Sequence, residues 1–549
     1  DALPLTINGK LDKRMLPAPE FNSQHAYVAP RTELEAQLCV VWQEVLGIEH
    51  VGIKDHFFRI GGDSIRAVSV AHQSIKLGIQ IRVKEIFELK TIENIAEYVS
   101  NLKLLTKDIL PTKAVSTEDY LDDDIQDSFD ESIQDIYPAS QTQVTMLKHY
   151  NLEHRGAYHP YHLFELNGIP FSPEKLGNIV VLLTEQHVAL RTYFKQSSEG
   201  NYYQLVRKNA VVELEVSDWS HYEASEVDNK VDSLIKQDVD SQFAPFDASK
   251  ALMRFKLIKL KDGGSYLYIS SHHVVEDGWG FVSLCNTLMD GYKSQEPIET
   301  YPIEENSNKE FALLEKQAEQ DADLEEYWTQ YLSGYDGLQR QTDKVHSCEL
   351  VDVVRQTFEL SEEEINYFTD TSHKNNIQTK SVFLMNYCQA LIEINDISTV
   401  AVDLVSNGRN EQLSHPLTTP GLFWRFVPYL FEESQDDFWQ MQESLNNLEV
   451  NSVYPYENLK ERFGLHAEFG FNFIQFHNVD DESLSEVTVN RNQDVFHHSL
   501  KLTVSLSKDG EEGVLHIERN PSKYSEQDAK DVVQFILRKT NRKIDSLVC

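Results

Sequence analysis

At 549 residues the chain exceeds what one ordinary hydrophobic core holds, so several domains are expected. Its 41% hydrophobic and 10% aromatic content is that of a globular protein. Fifty basic residues against 88 acidic ones leave a net charge of −38, which repels phosphate backbones and argues against a nucleic-acid partner.

The first residues, Asp1 to Arg14, read as the tail of something larger; Asn8-Gly9 is a turn signal, and the segment is too short to pack alone. A helical unit is predicted from about 27 to 103. Thr32 and Glu35 have the spacing of a capping box, Leu34, Leu38, Val41, Trp42 and Val45 recur at helical spacing, and Gly47 is a natural stop. Ser64 opens a second helix carrying Ile65, Val68 and Ala71. A last helix begins near Thr91, with Ile92, Ile95, Ala96 and Val99 on one face, so a bundle of three or four helices is expected.

From about 104 to 133 the apolar pattern fades and acidic residues crowd, Asp122, Asp123 and Asp124 among them; like charges extend a chain, so this predicts a solvated acidic linker. The remainder, about 134–549, mixes strands and helices and predicts two α/β lobes, about 134–305 and 306–549. Tyr266–Ser270 is strand-like, and Ser361 with Glu364 marks a helix start. Cys39, Cys285, Cys348, Cys388 and Cys549 form no CxxC pair and read as reduced thiols. No apolar run reaches the roughly 18–20 residues of a membrane span. No signal peptide opens the chain, so a cytoplasmic protein without a membrane partner is expected.

Two short segments carry chemistry. Gly61-Gly62-Asp63-Ser64 presents a serine at a helix start, where backbone N–H groups suit a phosphate ester; an ordinary N-cap serine is the alternative. His272-His273-Val274-Val275-Glu276-Asp277-Gly278 follows a strand. A histidine there can take a proton from an amine and return it. A satisfied core pair or half a metal site are the other readings; zinc would need further ligands at typical spacing, and none is obvious, so no metal is expected.

Asp55-His56-Phe57-Phe58-Arg59-Ile60-Gly61-Gly62-Asp63-Ser64 resembles the D-x-F-F-x-x-G-G-x-S motif of peptidyl carrier proteins of nonribosomal peptide synthetases. The resemblance implies 4′-phosphopantetheine, covalent on Ser64. His272 to Gly278 resembles the H-H-x-x-x-D-G motif of condensation domains in the same synthetases. Further resemblances follow in family order: Tyr137–Gln143, His187–Phe194, Tyr327–Leu332, Ser406–Arg409, Gly421–Phe423 and Pro455-Tyr456-Glu457. Asn8-Gly9-Lys10 resembles the last motif of an adenylation domain, so 1–22 is expected to be its residual tail.

The resemblance implies a multidomain chain: a small all-α carrier bundle followed by an α/β, two-lobed, chloramphenicol-acetyltransferase-like condensation domain with its active site in a tunnel between the lobes. His273 becomes the catalytic histidine, as general base or as stabiliser, and Gly278 lies close to the thioester. His272 is structural, and Asp277 is expected to pair with Arg191. The implied partners are an upstream adenylation domain, a phosphopantetheinyl transferase, and a downstream carrier or free amine as acceptor. The implied reaction is amide formation, with terminal release onto a free amine as one form.

Three departures stand out. Gly280 replaces a common serine, and Trp424 and Arg425 occupy positions usually Ile-Asn, with Arg425 expected to put a cation near the tunnel. Epimerisation shares the fold and the His motif, but it needs a second acid/base where this chain has Val405, and a valine moves no proton. A catalytically silent docking module is the remaining alternative.

Overall fold

The computed structural model describes residues 27–105, 117–150, 158–166, 172–209, 212–261, 263–294, 306–337, 351–434, 437–465, 467–475, 484–486, 494–496, 498–507 and 510–540. The expected adenylation tail, Cys348 and Cys549 lie outside them. The chain forms two compact units, 1–108 and 109–549.

The first unit is a four-helix bundle of α1 (Glu33–Leu46), α2 (Ser64–Lys76), α3 (Val83–Leu89) and α4 (Ile92–Leu105). The Thr32/Glu35 capping box forms, and Gly47 ends α1 in the left-handed conformation at φ 68°. Leu38, Val41 and Trp42 of α1 are buried with Ile92, Ile95 and Val99 of α4, as the helical spacing requires. Phe57, in the loop before α2, packs edge-on against Trp42 at 4.9 Å.

The second unit begins inside the acidic stretch. Residues 117–132 do not form a solvated linker: Ile125 of α5 (Asp123–Gln126) is fully buried with Ile133, Ile136, Tyr203 and Leu205. The Tyr203 hydroxyl donates to the Tyr120 carbonyl at 3.2 Å, and the Asp122 carboxylate accepts from Asn201 at 3.1 Å. Ile125, with Leu121 packed beside it and polar anchors, holds this segment against the domain, while most of its carboxylates remain in water; charge density alone did not reveal that anchor.

The first half of this unit contains β1 (Ile133–Pro138), α6 (Gln141–Tyr150), β2 (Tyr161–Leu166), α7 (Pro173–Gln186), β3 (Thr192–Gln196), β4 (Tyr202–Arg207), β5 (Leu214–Asp218), α8 (Ala224–Asp240), β6 (Met253–Lys259), β7 (Ser265–Ser271) and α9 (Gly278–Lys293). The second half contains α10 (Ser307–Ala318), α11 (Ala322–Tyr331), β8 (Val351–Leu360), α12 (Glu362–Asn375), α13 (Thr379–Asn395), β9 (Thr399–Ser406), β10 (Arg425–Glu432), α14 (Phe438–Asn451), α15 (Tyr456–Phe463), β11 (Phe469–Ile474), β12 (Leu484–Glu486), β13 (Asp494–Phe496), β14 (Leu500–Leu506), β15 (Gly513–Arg519) and α16 (Glu526–Leu537).

Three sheets result, ordered β1-β4-β3, β12-β2-β7-β6-β5 and β10-β9-β11-β14-β15-β8-β13. Strand β12, from the second half, pairs with β2 and so extends the sheet of the first half. In the seven-stranded sheet, β11 runs parallel to both β9 and β14. One face of that sheet is core: Val400, Val402 and Leu404 of β9 and Leu500, Leu502 and Val504 of β14 are buried with Phe383, Leu384 and Tyr387 of α13. Side chains alternate along a strand, so Asp403, Val405 and Lys501 belong to the opposite face. The Ser361/Glu364 capping box forms at α12, and Tyr266–Ser270 lies within β7.

Candidate active site

The carrier motif is built as a tight turn into α2. Gly61 has φ +98°, and a Cβ on Gly62 would fall 2.4 Å from the Phe57 ring, so only glycine fits there. The helix cap is Asp63, whose carboxylate accepts the Arg66 N–H at 2.8 Å. Ser64 is therefore the first helical residue and is not the N-cap. Its side chain is partly exposed and spared the capping task.

The His motif forms the turn between β7 and α9. The His272 N–H donates to the Leu252 carbonyl at 2.8 Å, and the His273 N–H donates to the Tyr158 carbonyl at 2.9 Å. From α6, the Gln143 side-chain amide donates to the Val274 carbonyl at 2.9 Å. The Tyr137–Gln143 motif thus steadies the turn from a position far away in sequence.

The two histidines differ. His272 Nδ1 accepts the Val274 N–H at 3.1 Å, and burial drives its pKa down to about 3. It is a neutral structural ring. His273 Nδ1 lies 2.6 Å from the Glu276 carbonyl. A carbonyl only accepts, so Nδ1 carries the proton and Nε2 keeps its lone pair. The ring is only partly buried, and burial holds its pKa below the ordinary imidazole value, against the opposing bond to Glu276 and the charge of Asp277.

Glu276 turns inward. Its carboxyl accepts from Ser271 Oγ, its second oxygen is buried with no partner, and burial raises its pKa to about 8. At neutral pH it is mostly protonated. It contributes its carbonyl to His273 while its side chain stays neutral.

Asp277 ties the turn to the second half of the domain. Its Oδ1 accepts from Gly280 N and from Arg409 Nη2, both at 2.7 Å, and its Oδ2 accepts from Phe423 N at 3.1 Å. The expected partner was Arg191, and the structure corrects this. Arg191 is buried elsewhere, its guanidinium donating to the Thr184 and Arg207 carbonyls and to Gln134. Arg409 takes the place beside Asp277 because Gly408, at φ +71°, lets the chain pass the Phe423 carbonyl, where a Cβ would come within 1.8 Å. Arg409 also donates to the Pro416 and Thr419 carbonyls at 2.8 and 2.9 Å.

Gly278 begins α9 and is partly exposed, at the positive end of a 16-residue helix. Gly280 has a packing reason: a Cβ there would sit 3.1 Å from the backbone of Pro420 and Gly421. Arg425 does not reach the His273 side. It is buried, stacks over Phe311 at 4.5 Å and donates to the Ser452 carbonyl at 2.9 Å. Trp424 is the residue that meets His273, ring centroids 5.9 Å apart at 60°. Sequence reasoning assigned no role to Arg409 or Glu276 and marked Trp424 only as a departure from the usual motif; all three stand inside or beside quoted motifs, but only folding shows what they touch.

Residues 36–99 match the phosphopantetheine attachment site family, and residues 133–545 match the condensation domain family. Gramicidin S synthase 1 of Brevibacillus brevis is 28% identical over 501 residues, covering 86% of this chain and 43% of that protein. Tyrocidine synthase 3 of Brevibacillus parabrevis is 31% identical over 344 residues, covering 61% of this chain and 5% of that protein. This chain thus spans less than half the length of either. Among solved structures, the condensation domain of the Monacolin K polyketide synthase superposes with TM-score 0.61 at 12% identity, covering 75% of this chain and 98% of that one. The epimerization domain from the third module of tyrocidine synthetase B gives 0.58 at 18% identity, covering 75% and 96%. These likenesses show the fold, which both kinds of domain share. With nearly all of the second unit matched, the chain belongs to the condensation domain family, with a phosphopantetheine attachment domain preceding it.

Proposed function

We propose that this chain presents an acyl thioester on its carrier and forms an amide from it at His273. Ser64 is the attachment point for 4′-phosphopantetheine, which supplies a long tether ending in the thiol that carries the acyl group. Asp63 holds the helix cap in place of Ser64, and the Gly61-Gly62 turn leaves the serine accessible.

The observation that carries the reading is the His273 tautomer. With Nδ1–H held by the Glu276 carbonyl, Nε2 is set to accept a proton from an attacking amine. As the new C–N bond forms and the C–S bond breaks, that proton passes from nitrogen to Nε2 and then to the departing sulfur. The start of α9, at Gly278, offers positive potential to the oxyanion that develops at the carbonyl. Asp277 and Arg409 keep the turn and the 421–423 loop in register, so His273 does not drift. The donor comes from Ser64, loaded through an upstream adenylation domain after a phosphopantetheinyl transferase has acted. The acceptor is an amine on a second carrier or free in solution.

The test is product analysis on protein loaded at Ser64 with a model peptidyl group, offered an aminoacyl carrier and a panel of free amines. An amide that disappears in His273→Ala is the expected result. A tethered peptide with inverted Cα and no amide means epimerisation, despite Val405. Equal product from wild type and His273→Ala leaves only a docking module.

A further inference from the structure

Beyond His273 the site continues as an aromatic wall. Trp424 stands edge-on to His273, and Phe426 stands edge-on to Trp424 at 5.0 Å and 69°. Strand alternation puts Arg425 on the other side, against Phe311, so the two aromatic rings share the face that His273 occupies. The wall is backed by polar groups. Phe426 packs against Tyr456 at 5.8 Å and His498 at 5.2 Å. Both of those rings are bonded to one buried carboxylate: Tyr456 donates to Asp403 at 2.6 Å, and His498 Nε2 lies 3.0 Å from Asp403. The Trp424 carbonyl is held from α6 by Thr142, at 3.2 Å.

The arrangement is apolar on its surface and incompletely buried. Trp424, Phe426 and Val405 are each partly exposed, as His273 is, while Asp403 and His498 behind them are closed to solvent. A core would have buried these rings. A surface exposed only to water gains nothing from two edge-packed aromatics, one of them seated on rings that a buried carboxylate holds. Flat faces beside a reacting centre favour flat partners, because an aromatic contact adds to the gain from burying area.

We infer that Trp424 and Phe426 are specificity-determining residues that select a substrate bearing an aryl or other flat apolar group next to the reacting carbonyl or amine. This rests on the reading of His273 as the reacting centre. The shared chemistry is the flat apolar group; it can be carried by the acyl donor or by the amine acceptor.

The experiment uses the full chain and measures binding by calorimetry, apart from turnover. The donor arm uses unreactive N-acyl pantetheine amides, phenylacetyl against an alkyl acyl group of equal carbon count. The acceptor arm uses phenethylamine against octylamine. The expected result is an aryl preference of about tenfold in one arm. That preference falls to near parity in Trp424→Leu and in Phe426→Leu, and survives in Trp439→Leu, which alters an exposed tryptophan on α14. If Trp424→Leu does not fold, Phe426→Leu carries the test. No aryl preference in either arm overturns the inference, as does an equal loss for aryl and alkyl ligands. Amide production is scored separately. Aryl preference without amide formation keeps the inference and rejects the condensation reading; amide formation without aryl preference does the reverse.

Discussion

The Asp277–Arg409 pair joins the His273 turn to the second half of the domain, and its removal has a calculable consequence. The side chains are 6% and 0% exposed and their atoms 2.7 Å apart. Asp277→Ala leaves a buried guanidinium with two carbonyl partners and no countercharge, and it strands the Gly280 and Phe423 N–H groups. Breaking such a pair from one side costs about 3–5 kcal/mol. Arg409→Met leaves the carboxylate its two backbone donors but strands the Pro416 and Thr419 carbonyls, so its cost falls in the same range. In a double-mutant cycle the two positions couple by about 2–3 kcal/mol, whereas Asp277 and Arg191, which share no partner, add within about 0.5 kcal/mol. The assay is urea unfolding of the full chain followed by tryptophan fluorescence. Trp279, whose indole donates to the Leu417 carbonyl at 2.7 Å, reports directly on this junction. The carrier has one of the six tryptophans, so the signal belongs mainly to the condensation unit. Coupling of Asp277 to Arg191 as strong as to Arg409 would refute the geometry.

Other outcomes follow from the same structure. Burial lowers the His273 pKa from the ordinary imidazole value, so the base form persists to lower pH than in a free imidazole; the acid limb of kcat/KM has its midpoint below that ordinary value, and a midpoint above it contradicts the assignment. Glu276 has a folded pKa of about 8 against an unfolded value near 4.5, so the folded state binds the extra proton between those limits and stability declines as pH rises from about 4.5 to 8. Glu276→Gln removes that decline, so its Tm measured against wild type increases from pH 5 to pH 8; an unchanged pH slope would show that Glu276 is already ionised. Gly62→Ala drives a methyl into Phe57 and destabilises the carrier by about 1–3 kcal/mol. Thermal melting that shows the carrier transition unmoved counts against this turn. Ser64→Ala abolishes attachment of phosphopantetheine, read by intact mass; a serine elsewhere still modified moves the site.

Much of this protein is legible in its sequence because the signals are local. The capping boxes at Thr32 and Ser361, the stop at Gly47 and the apolar stripe of α1 all form where their spacing puts them, since each is decided within a few residues. The two motifs at Ser64 and His273 are contiguous for the same reason. Three expectations failed because they depended on distant chain, one of them the Arg425 cation, which is buried over Phe311 and away from His273. The acidic stretch at 117–132 is tied down by Ile125 meeting residues that its own neighbourhood does not contain. Asp277 takes Arg409, 132 residues away, because a left-handed glycine aims that arginine inward; Arg191 spends its guanidinium on backbone carbonyls and Gln134. Sequence alone determined the two motifs around Ser64 and His273 and the elements on which they sit, since those depend on local backbone preference. Tertiary structure alone decided the partners: the tautomer of His273, the counterion of Asp277, and the aromatic pair Trp424 and Phe426 beside His273. These depend on burial, and burial is a property of chains brought together from far apart.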